Sequence, residues 1–232
     1  MLTFATYLPS NPMNHDLPQQ VPPRGDGTQD EEDSRIAAIA DELQRLCRVH
    51  EAERGTGQAN VSPFETEQRQ AEALAKRLHC WMPMTEAFRL GVPGPSGHEN
   101  DTYVADRYIY KVNNLLNSGG IVALLRRIVM HNRLFPETAY RLHGFAGFDG
   151  RTVQPVLRQL RIEQAHPATQ VKIDTYMSAL GFTKLEGQEG KFTNGVYEVW
   201  DILPRNVLVD NEGDLYVIDA EIASISAKAQ SD

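Results

Sequence analysis

The residues most able to do chemistry lie near the C-terminus, where DILPRNVLVDNEGDLYVID spaces Asp201, Asn206 and Asp219 around two short apolar runs. Val207–Val209 form one run and Leu215–Ile218 the other. Asp210, Asn211, Glu212 and Gly213 between them are turn formers, so the segment is predicted to be a β-hairpin. Antiparallel pairing brings the open ends of a hairpin within about 5 Å of each other. Asn206 stands just before the first strand and Asp219 just after the second, so an amide oxygen and a carboxylate converge on one edge. Hard oxygen donors of this kind suit Mg²⁺, which takes one or two protein ligands and fills its shell with water or phosphate oxygens. Asp201, five residues before Asn206, sits on the incoming loop within reach of the same place. Asp210 and Asn211 need no role beyond the turn. Strand termination alone would account for Asn206 and Asp219, but it leaves Asp201 and Pro204 unexplained at their offsets.

Other elements must position these side chains. Residues 1–33 carry prolines at 9, 12, 18, 22 and 23 and end in the acidic run DEED, a mixture too polar to bury a core, and are expected to form a disordered leader. Residues 34–80 read as a helical extension. Ile36, Ile39, Ala40, Leu43, Leu46 and Cys47 recur at three- and four-residue spacing. A second helix starts at Ser62, with Pro63 suited to its first turn and Glu65 placed to complete a capping box. In residues 81–163, TYVADRYIYKV reads as two strands meeting near Ala105-Asp106. A helix follows over 120–134 and ends before Pro136, then strands around Ala139–Phe145 and Val153–Ile162. Arg126 and Arg127 read as a solvated face of that helix. In residues 164–232, a helix over about 168–180 is capped by Gly181 and followed by the strands VYEVWD, VLVD and LYVID. Strands, one helix, strands, a connecting helix and a hairpin make an α+β protein.

The wording of these segments resembles protein-kinase-like phosphotransferases. D-I-L-P-R-N is similar to the kinase catalytic loop D-L-x-x-x-N, with Ile202 in the leucine position. V-I-D-A-E stands where kinases carry an aspartate-phenylalanine-glycine turn, and is closer still to the I-D-F-E of choline-kinase-like and aminoglycoside-kinase-like enzymes. Y-I-Y-K-V-N resembles the strand bearing the phosphate-binding lysine, here Lys111, which shares a strand face with Ile109. GPSGHEN stands where a glycine-rich loop covers phosphates, without the G-x-G-x-x-G spacing. QPVLRQLRI fits the strand that leads to the adenine-binding hinge, at Leu160 and Ile162. The resemblance extends over roughly residues 82 to 223, and is to the kinase-like domains of polyvalent proteins from bacterial mobile elements. It implies a small antiparallel sheet lobe with one packed helix, then a second lobe carrying the catalytic-loop hairpin. It also implies Asp201 as catalytic base, Asn206 in the catalytic loop, and Asn206 and Asp219 as metal ligands. Two departures stand out. Val199-Trp200 replaces the histidine-arginine before the catalytic aspartate, and the 120–134 helix has no glutamate to pair with Lys111, leaving Glu99 or Glu137 for that part. Only 13 residues follow Asp219, so the second lobe is expected to be truncated.

The functional expectation is therefore an ATP-dependent phosphotransferase with Mg²⁺ and ATP as cofactors and an unidentified acceptor. The alternative is a pseudokinase, a nucleotide-binding or protein-interaction module without catalysis, with the N-terminal helices free to take a protein partner. Composition narrows the rest. A net charge of −8 and the lack of a basic stripe argue against a nucleic-acid or anionic-membrane partner. The longest apolar run, Ile121 to Leu125, is far short of the roughly 20 residues of a membrane span. No signal-like N-terminal segment is evident, so a cytoplasmic protein is expected. Cys47 and Cys80 lack metal-ligand spacing and read as reduced thiols.

Overall fold

The computed structural model describes residues 27–53, 61–148 and 152–228. Most of the expected leader lies outside the described residues, but its last turn is helix. Helix α1 runs Gln29–Glu53, so it starts ahead of the expected Ser34. Asp30, Glu31 and Glu32 fill its first turn, where the positive end of the helix dipole favours carboxylates. Helix α2 (Pro63–Arg77) starts with the predicted box: the Ser62 hydroxyl accepts from the Glu65 N–H, and the Glu65 carboxylate accepts from the Ser62 N–H. Strand β1 (Trp81–Pro83), helix α3 (Met84–Ala87), strands β2 (Val92–Pro93), β3 (Asn100–Ala105) and β4 (Tyr108–Asn113), helix α4 (Ile121–Leu134), and strands β5 (Tyr140–Gly147) and β6 (Val153–Leu160) complete the first half.

The six strands form one sheet in the order β1-β5-β6-β4-β3-β2, antiparallel throughout except that β1 runs parallel to β5. Helices α1, α2 and α4 cover one face together. Ile36, Ile39 and Leu43 of α1, Leu74 of α2, Leu124 and Leu125 of α4, and Leu142 and Leu157 of the sheet share one buried core. The helical extension is thus packed into the sheet lobe. Helix α4 has no side-chain cap of its own, because Gly120 precedes it with φ +107°. The Glu67 carboxylate of α2 supplies the cap, accepting from the N–H groups of Ile121 (2.9 Å) and Val122 (3.0 Å). A Cβ at Gly120 would come within 2.5 Å of that carboxylate, so both the backbone angle and the cap require glycine.

β1 covers the outer edge of β5 only from Phe145 to Gly147. Upstream, side chains take over the ladder positions. Gln29 donates to the Tyr140 carbonyl (3.3 Å), Arg35 donates to the Leu142 carbonyl (3.2 Å), and Glu32 accepts from the Leu142 N–H (2.9 Å). Glu32 and Arg35 are buried and pair at 3.0 Å. Their backbone partners satisfy donors and acceptors that a buried ion pair would otherwise leave stranded.

The second half contains strand β7 (His166–Pro167), helix α5 (Gln170–Ala179), strands β8 (Thr183–Lys184), β9 (Phe192–Thr193), β10 (Tyr197–Trp200), β11 (Val207–Val209), β12 (Leu215–Val217) and β13 (Glu221–Ser224), and helix α6 (Ile225–Lys228). They make two small sheets, β13-β10-β9-β8 and β12-β11-β7. Ile173, Met177, Phe192, Val199, Ile202, Val207 and Val217 form a second core, which Phe135 at the end of α4 joins from the first half. The predicted β11–β12 hairpin forms, with Val207 opposite Val217 and Val209 opposite Leu215. Asp210 serves its turn by accepting from the N–H groups of Glu212, Gly213 and Asp214. The fold class is the α+β arrangement that the sequence implies.

Candidate active site

The loop that enters the hairpin is tied down by its own side chains. Asn206 ends a single 3-10 turn, Pro204–Asn206, and its Nδ2 donates to both the carbonyl (2.8 Å) and the carboxylate (2.6 Å) of Asp201. Arg205 pairs with the same carboxylate. Asp201 adopts φ +63°, a left-handed conformation that Asp and Asn tolerate better than other non-glycine residues. The backbone N–H of Ile218 donates to the Asn206 carbonyl (2.9 Å), which extends the ladder by one step and sets Asn206 beside the residue before Asp219. With its nitrogen committed to Asp201, the amide oxygen of Asn206 accepts no hydrogen bond among the described residues.

Lys111 comes to this hairpin from the first half. It lies on β4, between β3 and β6, and is buried. Its ammonium is 2.7 Å from the Tyr140 hydroxyl, 2.9 Å from the Ile218 carbonyl and 3.7 Å from the Asp219 carboxylate. Burial lowers the lysine's pKa, and the Asp219 charge opposes that shift. Tyr140 donates its own hydrogen to the Ile218 carbonyl (2.7 Å). Burial and the nearby Asp219 charge hold its phenol well above the usual range, so it stays neutral. Asp219 itself keeps a side chain 48% exposed. His131 of α4 packs edge-on to Tyr140, and burial pushes its imidazole down to about 3.

Helix α4 meets the site with a cation. Arg127 is only 13% exposed and pairs with Glu221, with Glu99 (3.6 Å) and with the Ser118 hydroxyl (3.1 Å). The expected solvated face holds for Arg126 alone, which pairs with exposed Asp41. Glu99 is therefore bound to Arg127 and is not the partner of Lys111. Glu137 is exposed in the turn after α4, beside a different groove. Burial raises the Glu221 carboxyl, and Arg127 opposes the shift. Arg127, Tyr140 and Glu221 are absent from the sequence-based set of site residues.

The residues expected at the hinge stand at and just past the end of β6. Leu157 pairs with Lys111 across β4 and β6, so Leu160, three residues on, projects from the opposite face of the sheet. Leu160 is exposed and borders a groove of about 350 Å³ with Arg107, Tyr108, Arg141 and Arg158. Its side chain does not face Lys111. Ile162 is half-buried just past the end of β6.

Asp201 opens onto a cleft of about 690 Å³ bounded by Glu99, Asn117, Lys191, Leu203 and Glu221. A smaller recess of about 20 Å³ holds Lys111, Asp219, His131 and Tyr140, and Glu99 lines both. The structure thus brings Lys111 to Asp219 and Asn206 to Asp201, and it links the two pairs through the Ile218 backbone. Among the described residues no group of three or more His, Cys, Asp or Glu side chains is suited to a metal ion. One carboxylate and one amide oxygen, from Asp219 and Asn206, nevertheless match the small protein share that Mg²⁺ takes beside phosphates.

Among the described residues no helix is long and apolar enough to cross a membrane. No curated protein matches the chain. Residues 65–225 match the family described as the serine/threonine/tyrosine kinase found in polyvalent proteins. That span is most of the chain and carries both walls of the cleft, from α2 to the end of β13. The chain belongs to this kinase family.

Proposed function

We propose that the protein is an ATP-dependent phosphotransferase whose phosphate end lies between Lys111 and Asp219. The 3.7 Å approach of a sheet-borne lysine to a hairpin-borne carboxylate carries this reading. A buried cation and a half-exposed carboxylate on different halves of the fold converge where a phosphate and its cation need both. Lys111 would contact phosphate oxygens, and Asp219 with the amide oxygen of Asn206 would hold Mg²⁺. When bound, Mg-ATP supplies the transferable phosphoryl group and neutralises its charge. Asp201 faces the larger cleft, where its carboxylate would accept the proton of an acceptor hydroxyl. Its hydrogen bonds from Asn206 and Arg205 orient it for that step.

A module that binds nucleotide without transferring phosphate is the second reading. The observation that favours it is the partner set of Lys111, a phenol and a carbonyl in place of a helix carboxylate. The test is thermal denaturation with and without Mg-ATP, followed by transfer from labelled ATP. Wild type should be stabilised by Mg-ATP and Asp219→Ala should not. Equal stabilisation of the two would remove Asp219 from the metal. Stabilisation with no transfer to any acceptor, itself included, would decide for the second reading.

A further inference from the structure

We infer that Arg127 is a positioning residue, an ionic clamp on α4 that fixes where Asp219 stands. Its three partners come from three separate parts of the chain: Glu99 before β3, Ser118 before α4, and Glu221 at the start of β13. Asp219 sits between two anchors. On one side, the carbonyl of Ile218 is held by Lys111 and Tyr140. On the other, two residues past Asp219, the side chain of Glu221 is held by Arg127. The backbone of Asp219 spans the gap between the sheet and α4, so loosening either anchor lets the carboxylate drift.

Charge makes the clamp sensitive. One guanidinium stands between two carboxylates, all three at most a quarter exposed, where solvent screens them weakly. Removing the cation leaves Glu99 and Glu221 with no neutralising partner between them and a cost for burying each. The segment before β3 and the start of β13 would then separate. The same movement would widen the mouth shared by the cleft and the recess, since Glu99 lines both. Arg127 suits the task because its planar fork serves two acceptors at once. The link from this clamp to nucleotide binding rests on the reading of Asp219 given above, but the clamp itself does not.

Two variants separate charge from packing. Arg127→Met keeps most of the apolar stem and removes the cation, whereas Arg127→Lys keeps a cation. Hydrogen exchange is measured first without nucleotide. In Arg127→Met, amides of residues 96–100 and 219–224 should exchange about tenfold faster, the equivalent of one charge-assisted hydrogen bond, while those of α5 stay at wild-type rates. Arg127→Lys should lie nearer wild type. Affinity for Mg-ATP should then fall about tenfold in Arg127→Met and by less than about threefold in Arg127→Lys. Wild-type exchange in Arg127→Met, or equal effects of the two variants, would overturn the clamp. If wild type itself does not bind Mg-ATP, the proposed function fails, and the exchange measurement still decides the role of Arg127.

Discussion

The ammonium of Lys111 and the hydroxyl of Tyr140 meet at 2.7 Å across the width of β6, the strand that lies between theirs. Tyr140 is buried and neutral, and it hands its own hydrogen to the carbonyl of Ile218. A phenol therefore orients the site lysine and at the same time grips the residue before Asp219.

Tyr140→Phe should lower stability by about 1–3 kcal/mol, because it leaves a buried ammonium short of an acceptor. Chemical denaturation gives this directly. The variant should also bind Mg-ATP several-fold more weakly. Wild-type stability in Tyr140→Phe would mean that the hydroxyl anchors nothing.

Asp201→Asn should leave the Mg-ATP-induced rise in melting temperature intact and cut turnover by roughly 10²–10⁴-fold, the usual loss with a general base. Asparagine is the suitable replacement because it tolerates the left-handed backbone at this position. A large fall in melting temperature with no separate fall in turnover would instead mark Asp201 as a loop fastener.

His131 predicts a pH dependence. Its imidazole titrates near 6.5 in the unfolded chain and near 3 in the fold. Between these values the unfolded chain binds a proton that the native state refuses, so stability falls as pH drops below about 6.5. From pH 7 to pH 5 this one group should account for about 2 kcal/mol. His131→Gln should lose that much less over the same interval, measured by urea denaturation at both pH values. Parallel losses in the two proteins would show that His131 is not the source.

What the sequence conveys depends on how far apart the partners stand. The hairpin from Val207 to Val217 was legible because its strands and its turn are contiguous. The Ser62–Glu65 box was legible for the same reason. Arg127 and Glu221 are 94 residues apart, and nothing local announces that they meet. A weaker signal did exist, since Arg127 is three residues from Leu124 and four from His131, on the buried side of α4. The face on which Leu160 lies, opposite that of Lys111, follows from a register between β4 and β6 that only the folded sheet sets. β1, β2 and β7 are two or three residues long and each contains a proline, so they carry no alternation to read. The early start of α1 could have been anticipated, because a run of acids is also what the first turn of a helix favours.

Glu67→Ala should cost about 1–2 kcal/mol, since it uncaps α4 at two backbone N–H groups that have no other side-chain acceptor. Urea denaturation tests this, with Glu67→Gln expected to keep part of the cap. A change below about 0.5 kcal/mol would show that water replaces the carboxylate freely, as at most surface sites.

The polar side chains that α1 lays along β5 also bear on how the protein behaves in a crowded solution. A polypeptide beginning at Phe64 would keep every element of the cleft but lose Gln29, Glu32 and Arg35, baring the N–H and C=O of Leu142 at a strand edge. A bare edge is a template for a strand from another molecule. Such a fragment is expected to self-associate as its concentration rises, giving dimers and larger species by light scattering where the full chain does not. Helix α1 is thus expected to guard the β5 edge as well as fill the core, and Glu32→Ala in the full chain, which leaves the core in place, should move the protein part of the way toward the same fate.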